Sequence, residues 1–596
     1  MAYSQNFPAQ RPSFMFDASN AGRIPPNMTY TRASTANVFD GAKHLSSENV
    51  VPYSSDISTK TLEGVTATGS QTAPDGGTDA YKLTENSTTG FHRFYEHIKT
   101  EGTAITFSAY FKYIGRQWVR VRLTDSGASD RFVWFDIQNG VAGTAETGFS
   151  NVSISSSGNG YYKVSATLAT SVTSGGTHYL VVEATSGDGA SGASIAGLNA
   201  DAFAVWGLQV SHTGETVLNE TSGQIHREYA PTLVSKANNA ARFETATDGQ
   251  SAAKGLLVEG QSTNLALHSE QFGSGSYHAF RLHVDASSAI APDGTLTANT
   301  LRENDAASNT HGLYQDIAVS GTTAHTVSFY AKAAGRNHLA VRFDATNGVF
   351  GNDWVYFNLS TGAVGAKDAD ITASIESCGN GWYRCIATRT ALAAATGRVV
   401  IYLADADNSS AYTGNSYSGV LAWGFSFEAN SFASSYTKTE AATVTRAADS
   451  LSMTDASLFN TGTGGLVVEA VVKSLNDGVA AWLGTDGNNY HQVGQFGSTT
   501  YPLISKADGV ASAVLSSSAV STGAAHKVAA SWGTNDFAGC VDGGTVVTDT
   551  SGTLPAVNKL TVGNYNAAAA WLDGHVKRVA IYSEALSDTN LQALTS

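Results

Sequence analysis

Apolar and polar side chains alternate over short runs along most of this chain. Gln117–Leu123 reads Gln-Trp-Val-Arg-Val-Arg-Leu. Val119, Val121 and Leu123 then share one side of a strand, and Trp118, Arg120 and Arg122 share the other. Val133–Ile137 places Trp134 and Asp136 opposite its apolar set, and Thr106–Lys112 does the same with Tyr110 and Lys112. Long runs of helical period are almost absent. Gly is frequent, at 60 of 596 residues, and Thr, Ser and Val crowd the alternating runs. The pattern predicts an all-β protein of many short strands and tight turns.

The alternating block occurs twice. Gly158-Asn159-Gly160-Tyr161-Tyr162-Lys163 returns as Gly379-Asn380-Gly381-Trp382-Tyr383-Arg384. Ala73-Pro74-Asp75-Gly76 returns as Ala291-Pro292-Asp293-Gly294, Gly115-Arg116 as Gly335-Arg336, and Trp206-Gly207 as Trp423-Gly424. The spacing is nearly constant, so the copies differ by short insertions only. Each copy reads as a β-sandwich, over 48–230 and 263–447. Trp206, Trp382 and Trp423 are expected in the cores, as are Tyr162 and Tyr383 by the same alternation.

The remaining segments divide as follows. Residues 1–47 form an N-terminal anchoring segment ending in a strand-like run, Tyr30-Thr31-Arg32-Ala33. That run is echoed at Val444-Thr445-Arg446-Ala447. Residues 231–262, with Gly255-Leu256-Leu257-Val258-Glu259, continue what 13–47 begins. The first sandwich therefore reads as an insertion into an N-terminal element. Residues 448–596 form a different β domain, with a hairpin at Asp542-Gly543 and a short C-terminal helix capped at Ser587.

Composition narrows the function. The formal net charge is −15 and no basic run stands out, which argues against nucleic-acid binding. No stretch approaches the roughly 20 apolar residues of a membrane helix, and the start of the chain shows no signal-peptide pattern. Three cysteines are too few for a disulfide framework, so Cys378 and Cys385 are expected as reduced core thiols. Cytoplasmic synthesis followed by release through lysis fits these features.

The runs Arg11-Pro12-Ser13-Phe14, Phe16-Asp17-Ala18-Ser19, Tyr30-Thr31-Arg32-Ala33-Ser34-Thr35-Ala36, Gly255-Leu256-Leu257-Val258-Glu259-Gly260 and Thr445-Arg446-Ala447-Ala448-Asp449, with the C-terminal stretch Leu572-Asp573-Gly574-His575-Val576, resemble phage virion fibre and spike proteins, the head spikes of gene transfer agents included. The resemblance covers most of the chain. It implies tandem jelly-roll-type sandwiches like carbohydrate-binding modules, followed by a concanavalin A-like (laminin G-like) sandwich. It also implies display on a virion made in the bacterial cytoplasm, adhesion to host surface polysaccharide, contacts with other capsid or tail proteins, and a homo-oligomer, with a trimer favoured.

Strand alternation supplies the candidate sugar contacts. If the strands of the first copy share one sheet, Tyr110, Trp118, Arg120, Arg122, Trp134 and Asp136 form its outer face. Aromatic rings stack on the C–H faces of sugars, while Arg and Asp bond hydroxyls. The second copy would present His338, Arg342 and Tyr356, with Tyr330, Lys332 and Asn358. Its face is expected to be weaker, because Trp118 and Arg120 become His338 and Ala340. The same outer face would equally suit packing on a neighbouring domain or subunit.

Catalysis finds little support. A glycosidase needs two carboxylates roughly 5–10 Å apart, and Glu469 stands alone in its strand. His526 and His575 read as strand residues with local hydrogen bonds. No metal-ligand spacing stands out. Structural Ca²⁺ is the one cofactor considered, at turns such as Asp75–Asp79 and Asp405–Asn408, where turn chemistry explains the same residues equally well. The reading is a non-enzymatic fibre or spike adhesin. The alternatives are a structural decoration without a ligand and a capsular polysaccharide depolymerase.

Overall fold

The computed structural model describes residues 11–124, 130–247, 253–454, 458–459, 462–567 and 569–596. The fold is all-β, built from antiparallel sheets around three large apolar cores. The first core belongs to the first repeat. Val119, Val121, Leu123, Val133 and Phe135 are fully buried in it, as their alternation requires. Leu339, Val341, Phe343, Val355 and Phe357 do the same in the second repeat.

The second repeat has two six-stranded sheets. One runs His278–Phe280, Gly312–Ala318, Thr396–Ala404, His338–Asp344, Asp353–Asn358, Ala363–Lys367. The other runs Leu282–Ala289, Ala298–Glu303, Gly419–Glu428, Ala324–Ala334, Trp382–Thr390, Ile371–Gly379. In the first repeat, Arg93–Tyr113 and Tyr161–Thr185 are long enough to serve both layers. Arg93–Ile98 pairs with His178–Glu183, whose strand takes Trp118–Leu123 on its other edge, and Tyr162–Ala169 pairs with Ala104–Phe111, whose strand takes Phe203–Ser211 on its other edge.

The repeated motifs have structural causes. In the Gly-Asn-Gly turns, Asn159, Gly160, Gly379, Asn380 and Gly381 all have positive φ, which Gly and Asn tolerate best. Arg116 grips both carboxylate oxygens of Glu85, and Arg336 does the same to Glu303. Asn49 and Asn264, both fully buried, open the two repeats. Each accepts two backbone N–H groups and donates to two carbonyls, tying the entering strand to the strand that leaves. Tyr162 and Tyr383 keep the core-facing side of their strands, as alternation requires, opposite Phe111 and Ala331. They are half-buried and lie over Gly140 and Gly362, where an added Cβ would meet the ring at 2.3 and 2.5 Å. Tyr161 and Trp382 take the opposite side, in the clusters around Trp206 and Trp423.

The third sandwich gathers distant pieces of chain. Gly464–Val472, Ala525–Gly533 and Gly574–Tyr582 form the middle of one sheet. The edge of Gly574–Tyr582 is covered end to end by two remote segments. Leu256–Val258 pairs with Gly574–Val576, and Phe14–Asp17 pairs with Arg578–Ile581. In the opposing sheet, Thr29–Thr31 pairs with Ser450–Met453. The two repeats leave this sandwich through two-stranded necks: Ala36–Asn49 with His226–Lys236, and Ser262–Asn264 with Val444–Arg446. At the other end of the sheet, Asp542 and Gly543 make a left-handed turn between paired strands, and the helix Asp588–Thr595 is capped by Ser587.

A buried charge cluster sits where these pieces meet. Arg242 pairs with Glu259 at 2.9 Å and with Asp449. Asp449 also meets Arg32 and accepts from the Tyr30 hydroxyl, and Glu259 takes Lys473 at 3.1 Å and Arg446 at 3.7 Å. The side chains of Arg32, Arg242, Arg446, Glu259 and Asp449 are all fully shielded from solvent. Burial alone would raise the Glu259 carboxyl, yet Lys473, Arg242 and Arg446 hold it well below the usual range. The echo between Thr31-Arg32-Ala33 and Thr445-Arg446-Ala447 places one arginine each in this cluster.

Two predictions follow from the third sandwich. Asp449→Ala leaves two buried guanidinium groups short of a carboxylate and should cost on the order of 3–5 kcal/mol, read as a lower denaturant midpoint. The second concerns His491, which is buried and stacked on Trp532 at 4.3 Å, its pKa pushed down to about 3 by desolvation. The folded state keeps it neutral, while the unfolded chain protonates near 6.5. Stability should fall as pH drops from 6.5 toward 3, by about 1.4 kcal/mol per unit from this group. His491→Phe should flatten that part of the stability–pH curve, measured by urea unfolding at a series of pH values.

Candidate functional site

The strand Trp118–Thr124 pairs on one side with Asp130–Asp136 and on the other with Tyr161–Thr185. Trp118, Arg120 and Arg122 do lie on the face opposite the core. Register places Arg120 between Trp134 and Glu183. Arg120 donates to Glu183 at 2.7 Å, and its guanidinium lies 4.2 Å from the Phe132 ring centre and 5.6 Å from that of Trp134. The Trp134 indole donates to the Ala190 carbonyl at 3.0 Å. Gly192 passes so close to Glu183 that an added Cβ would sit 2.5 Å from its Oε2.

This cover corrects the expected open array. Arg120 and Trp134 are only 7% and 4% exposed. Asp136 is 5% exposed and serves its own turn, accepting from the backbone of Gln138 and Asn139 and from the Gln117 amide. Tyr110 lies on the other layer, buried against Trp206 and Tyr417 at ring-centre distances of 5.2 and 5.8 Å. Alternation assigned sides correctly. It could not show that the loop after Thr185 folds back over the face, or that Tyr110 belongs to the second sheet. Trp118 and Arg122 remain half-buried, with Arg122 bonded to Asp130. The open part of the face lies further along the sheet, where His97 and the 36%-exposed Tyr179 pack at 4.3 Å beside Tyr95.

The second repeat carries the larger aromatic surface. On the corresponding sheet, register aligns His278, Tyr314, Val400, Arg342 and Trp354 in one cross-strand row. Phe280, Gly312, Tyr402, Ala340 and Tyr356 align in the next. Trp354 stacks on Tyr356 with an interplanar angle of 12°, and its ring centre lies 4.8 Å from that of Tyr402. Tyr402 meets Phe280, which meets Tyr314, which stacks on His278. The strip is continuous across five strands.

Two guanidinium groups are built into it. Arg342 lies 5.1 and 5.3 Å from the Trp354 and Tyr402 ring centres and bonds Asp344. Arg398 lies 3.8 Å from the Tyr314 ring centre and grips both oxygens of Asp316 at 2.7 and 3.0 Å. Ala340, the residue whose smallness suggested a weaker face, lets Tyr356 and Tyr402 close over the strand. Tyr356 is itself only 5% exposed, so Trp354, Tyr314, Arg342 and Arg398 present the accessible surface, with exposed His278 at the edge. His338 is half-buried one row beyond, paired in register with Asn358 and Ala404. Trp354, Tyr314, Tyr402 and Arg398 were absent from the sequence-based set. Each alternates visibly within its own strand, but the order of strands across the sheet is not written in any one of them.

Tyr330 and Lys332 belong to the other layer, like Tyr110. Tyr330 is buried between Trp423 and Tyr436. The carboxylate and histidines weighed from the sequence are engaged. Glu469 lies between Lys577 and Arg578, His526 bonds Asp542, and His575 bonds Glu244 across a long sequence separation. The contact of His575 is therefore not local. The Asp75 and Asp407 side chains cap backbone N–H groups. Among the described residues no group of three or more His, Cys, Asp or Glu side chains converges as a metal site. Cys378, Cys385 and Cys540 are buried free thiols.

The chain is thus an all-β protein of packed sandwiches with an aromatic and guanidinium strip on one outer face. No protein-family model matches it, and no curated protein matches it. Among solved structures it is similar to domain 4 of a GH43 arabinanase from Geobacillus stearothermophilus. That match has 15% identity and a TM-score of 0.19, and it covers 27% of this chain and 81% of that one. A tandem CBM22 domain of Paenibacillus barcinonensis Xyn10C matches at 12% identity and a TM-score of 0.18, over 65% of this chain and 99% of that one. The LG1–3 region of the laminin α2 chain matches at 11% and 0.18, over 83% and 96%. These superpositions are loose, and the fold described above stands on strand pairing alone.

Arg120→Ala separates packing from binding in the first repeat. It leaves Glu183 buried without its partner and should cost about 3–5 kcal/mol, lowering the unfolding midpoint of the first repeat.

Proposed function

We propose that the protein is a non-catalytic glycan-binding protein, displayed on a phage-type particle and holding that particle at a polysaccharide-coated cell surface. The observation that carries the glycan part is the strip of Trp354, Tyr314, Arg342 and Arg398 on the second repeat. Flat rings offer an apolar surface to sugar C–H groups, and fixed guanidinium–carboxylate pairs offer planar hydrogen bonds to hydroxyls. Each ring is already held by a neighbour, so little side-chain freedom remains to be lost on binding. The particle setting rests on the resemblance of the sequence motifs to virion fibre and spike proteins. A weak contact repeated over many copies would give long residence through avidity.

Trp354→Ala tests this reading. It should remove a stacking surface worth about 0.5–1.5 kcal/mol per site, seen on a glycan array as lost signal for ligands that bind the wild type. Trp118→Ala should change the same signals far less. Equal loss from both variants, or an array with no wild-type signal, would count against a sugar-binding strip. Release of reducing ends from a bound polysaccharide would instead favour a depolymerase.

A further inference from the structure

The outer face of the second sheet in each repeat carries the same cross-strand row. In the first it is Ser155, Lys163, Tyr110 and Trp206. In the second it is Glu376, Arg384, Tyr330 and Trp423. A cavity lies over each row. The first, about 300 Å³, is closed by the second repeat, and the other, about 460 Å³, by the neck and the third sandwich. Both cavities hold a cation against a tyrosine ring: half-buried Lys163 at 6.0 Å from the Tyr110 centre and buried Arg384 at 5.7 Å from that of Tyr330. Duplication therefore produced two versions of one pocket.

The larger pocket is the one equipped for a ligand. Its other cations are occupied: Lys254 by Glu244, Lys473 by Glu259 and Lys577 by Glu469. Arg384, 8% exposed, bonds only neutral oxygens, the Ser328 hydroxyl and the Ser434 carbonyl. Among the described residues no carboxylate forms a salt bridge with it and its Nη1 makes no hydrogen bond, while its unpartnered Nε is enclosed by protein. Glu376 and Glu428 favour the charged guanidinium from beyond salt-bridge distance, so a bound anion would add its first direct ion pair. Tyr330 and Tyr436 add aromatic walls, and exposed Glu376, Ser377 and Ala525 at the rim open the pocket to solvent. The volume falls within the roughly 300–1,000 Å³ of small-molecule sites.

We propose that this cavity binds a small carboxylate of hexuronate size, its carboxylate on Arg384 and its ring against Tyr330. The site lies on the opposite sheet from the aromatic strip and does not depend on it. Ser328 and Ser434 already hold Nη2, so the ligand carboxylate would meet Arg384 through a charge-assisted bond from Nη1. Glu376, the cross-strand neighbour of Arg384, opposes the ligand by like charge.

Calorimetric titration of the full chain with galacturonate, and with galactose as the uncharged twin, tests the site. Galacturonate should bind saturably at one site, and galactose at least about tenfold more weakly. Glu376→Gln, a change at an exposed position, should tighten galacturonate several-fold, and Arg384→Gln should weaken it at least about tenfold. Trp354→Ala should leave this binding unchanged, which separates it from the strip. Equal binding of the two sugars, no galacturonate binding, or indifference to Glu376→Gln would overturn the proposal. If Arg384→Gln fails to fold, the sugar pair and Glu376→Gln decide alone.

Discussion

The structure depends on one buried cluster of charge. Arg32, Arg242 and Arg446 come from three parts of the chain far apart in sequence, and they converge on Glu259 and Asp449. Removing five ionic groups from water is costly, and only close mutual contact with further hydrogen bonds offsets it. Those contacts exist only when the N-terminal strands, the segment after the first neck and the start of the C-terminal segment are all docked. Partial assembly would leave a buried charge unpaired. The cluster therefore couples the docking of every segment to the others. It also explains how two large repeats can be inserted between strands of one sandwich without dividing it.

The repeats show how one scaffold serves two kinds of surface. In both, the sheet bearing Tyr110 or Tyr330 turns its outer face inward to the rest of the molecule, where Trp206 and Trp423 are buried. The opposite sheet faces away. In the first repeat that face is partly sealed by its own loop and by the Arg120–Glu183 pair. In the second, a small residue at Ala340 leaves room for tyrosines, and a continuous strip forms. The aromatic outer faces considered from sequence are thus of both kinds, one for packing and one for solvent.

Period-two alternation made the strands and their core sides legible. The tandem repeat was legible from the Gly-Asn-Gly turns, because only Gly and Asn accept those backbone angles readily. Leu256–Glu259 reads as a continuation of the N-terminal segment, and Leu256–Val258 and Phe14–Asp17 pair along one edge of Gly574–Tyr582. Other features needed three dimensions. Nothing local in Phe14–Asp17 or Thr29–Thr31 names Arg578–Ile581 or Ser450–Met453 as partners. Trp134 carries the same alternation as Trp354, yet one lies under a loop and the other on a surface. The difference is decided by what crosses the sheet, which is a property of the whole chain.

The central claim is that the C-terminal sandwich is completed by strands from far earlier in the chain and locked by the charge cluster. Expression of residues 448–596 alone, followed by amide-resolved NMR, tests it most directly. That fragment lacks Arg32, Arg242 and Glu259 and the strands that cover Gly574–Tyr582. The account predicts poor dispersion and non-cooperative melting, restored when residues 13–31 and 243–262 are supplied in the same chain. A well-dispersed spectrum and a cooperative melt from 448–596 by itself would contradict it.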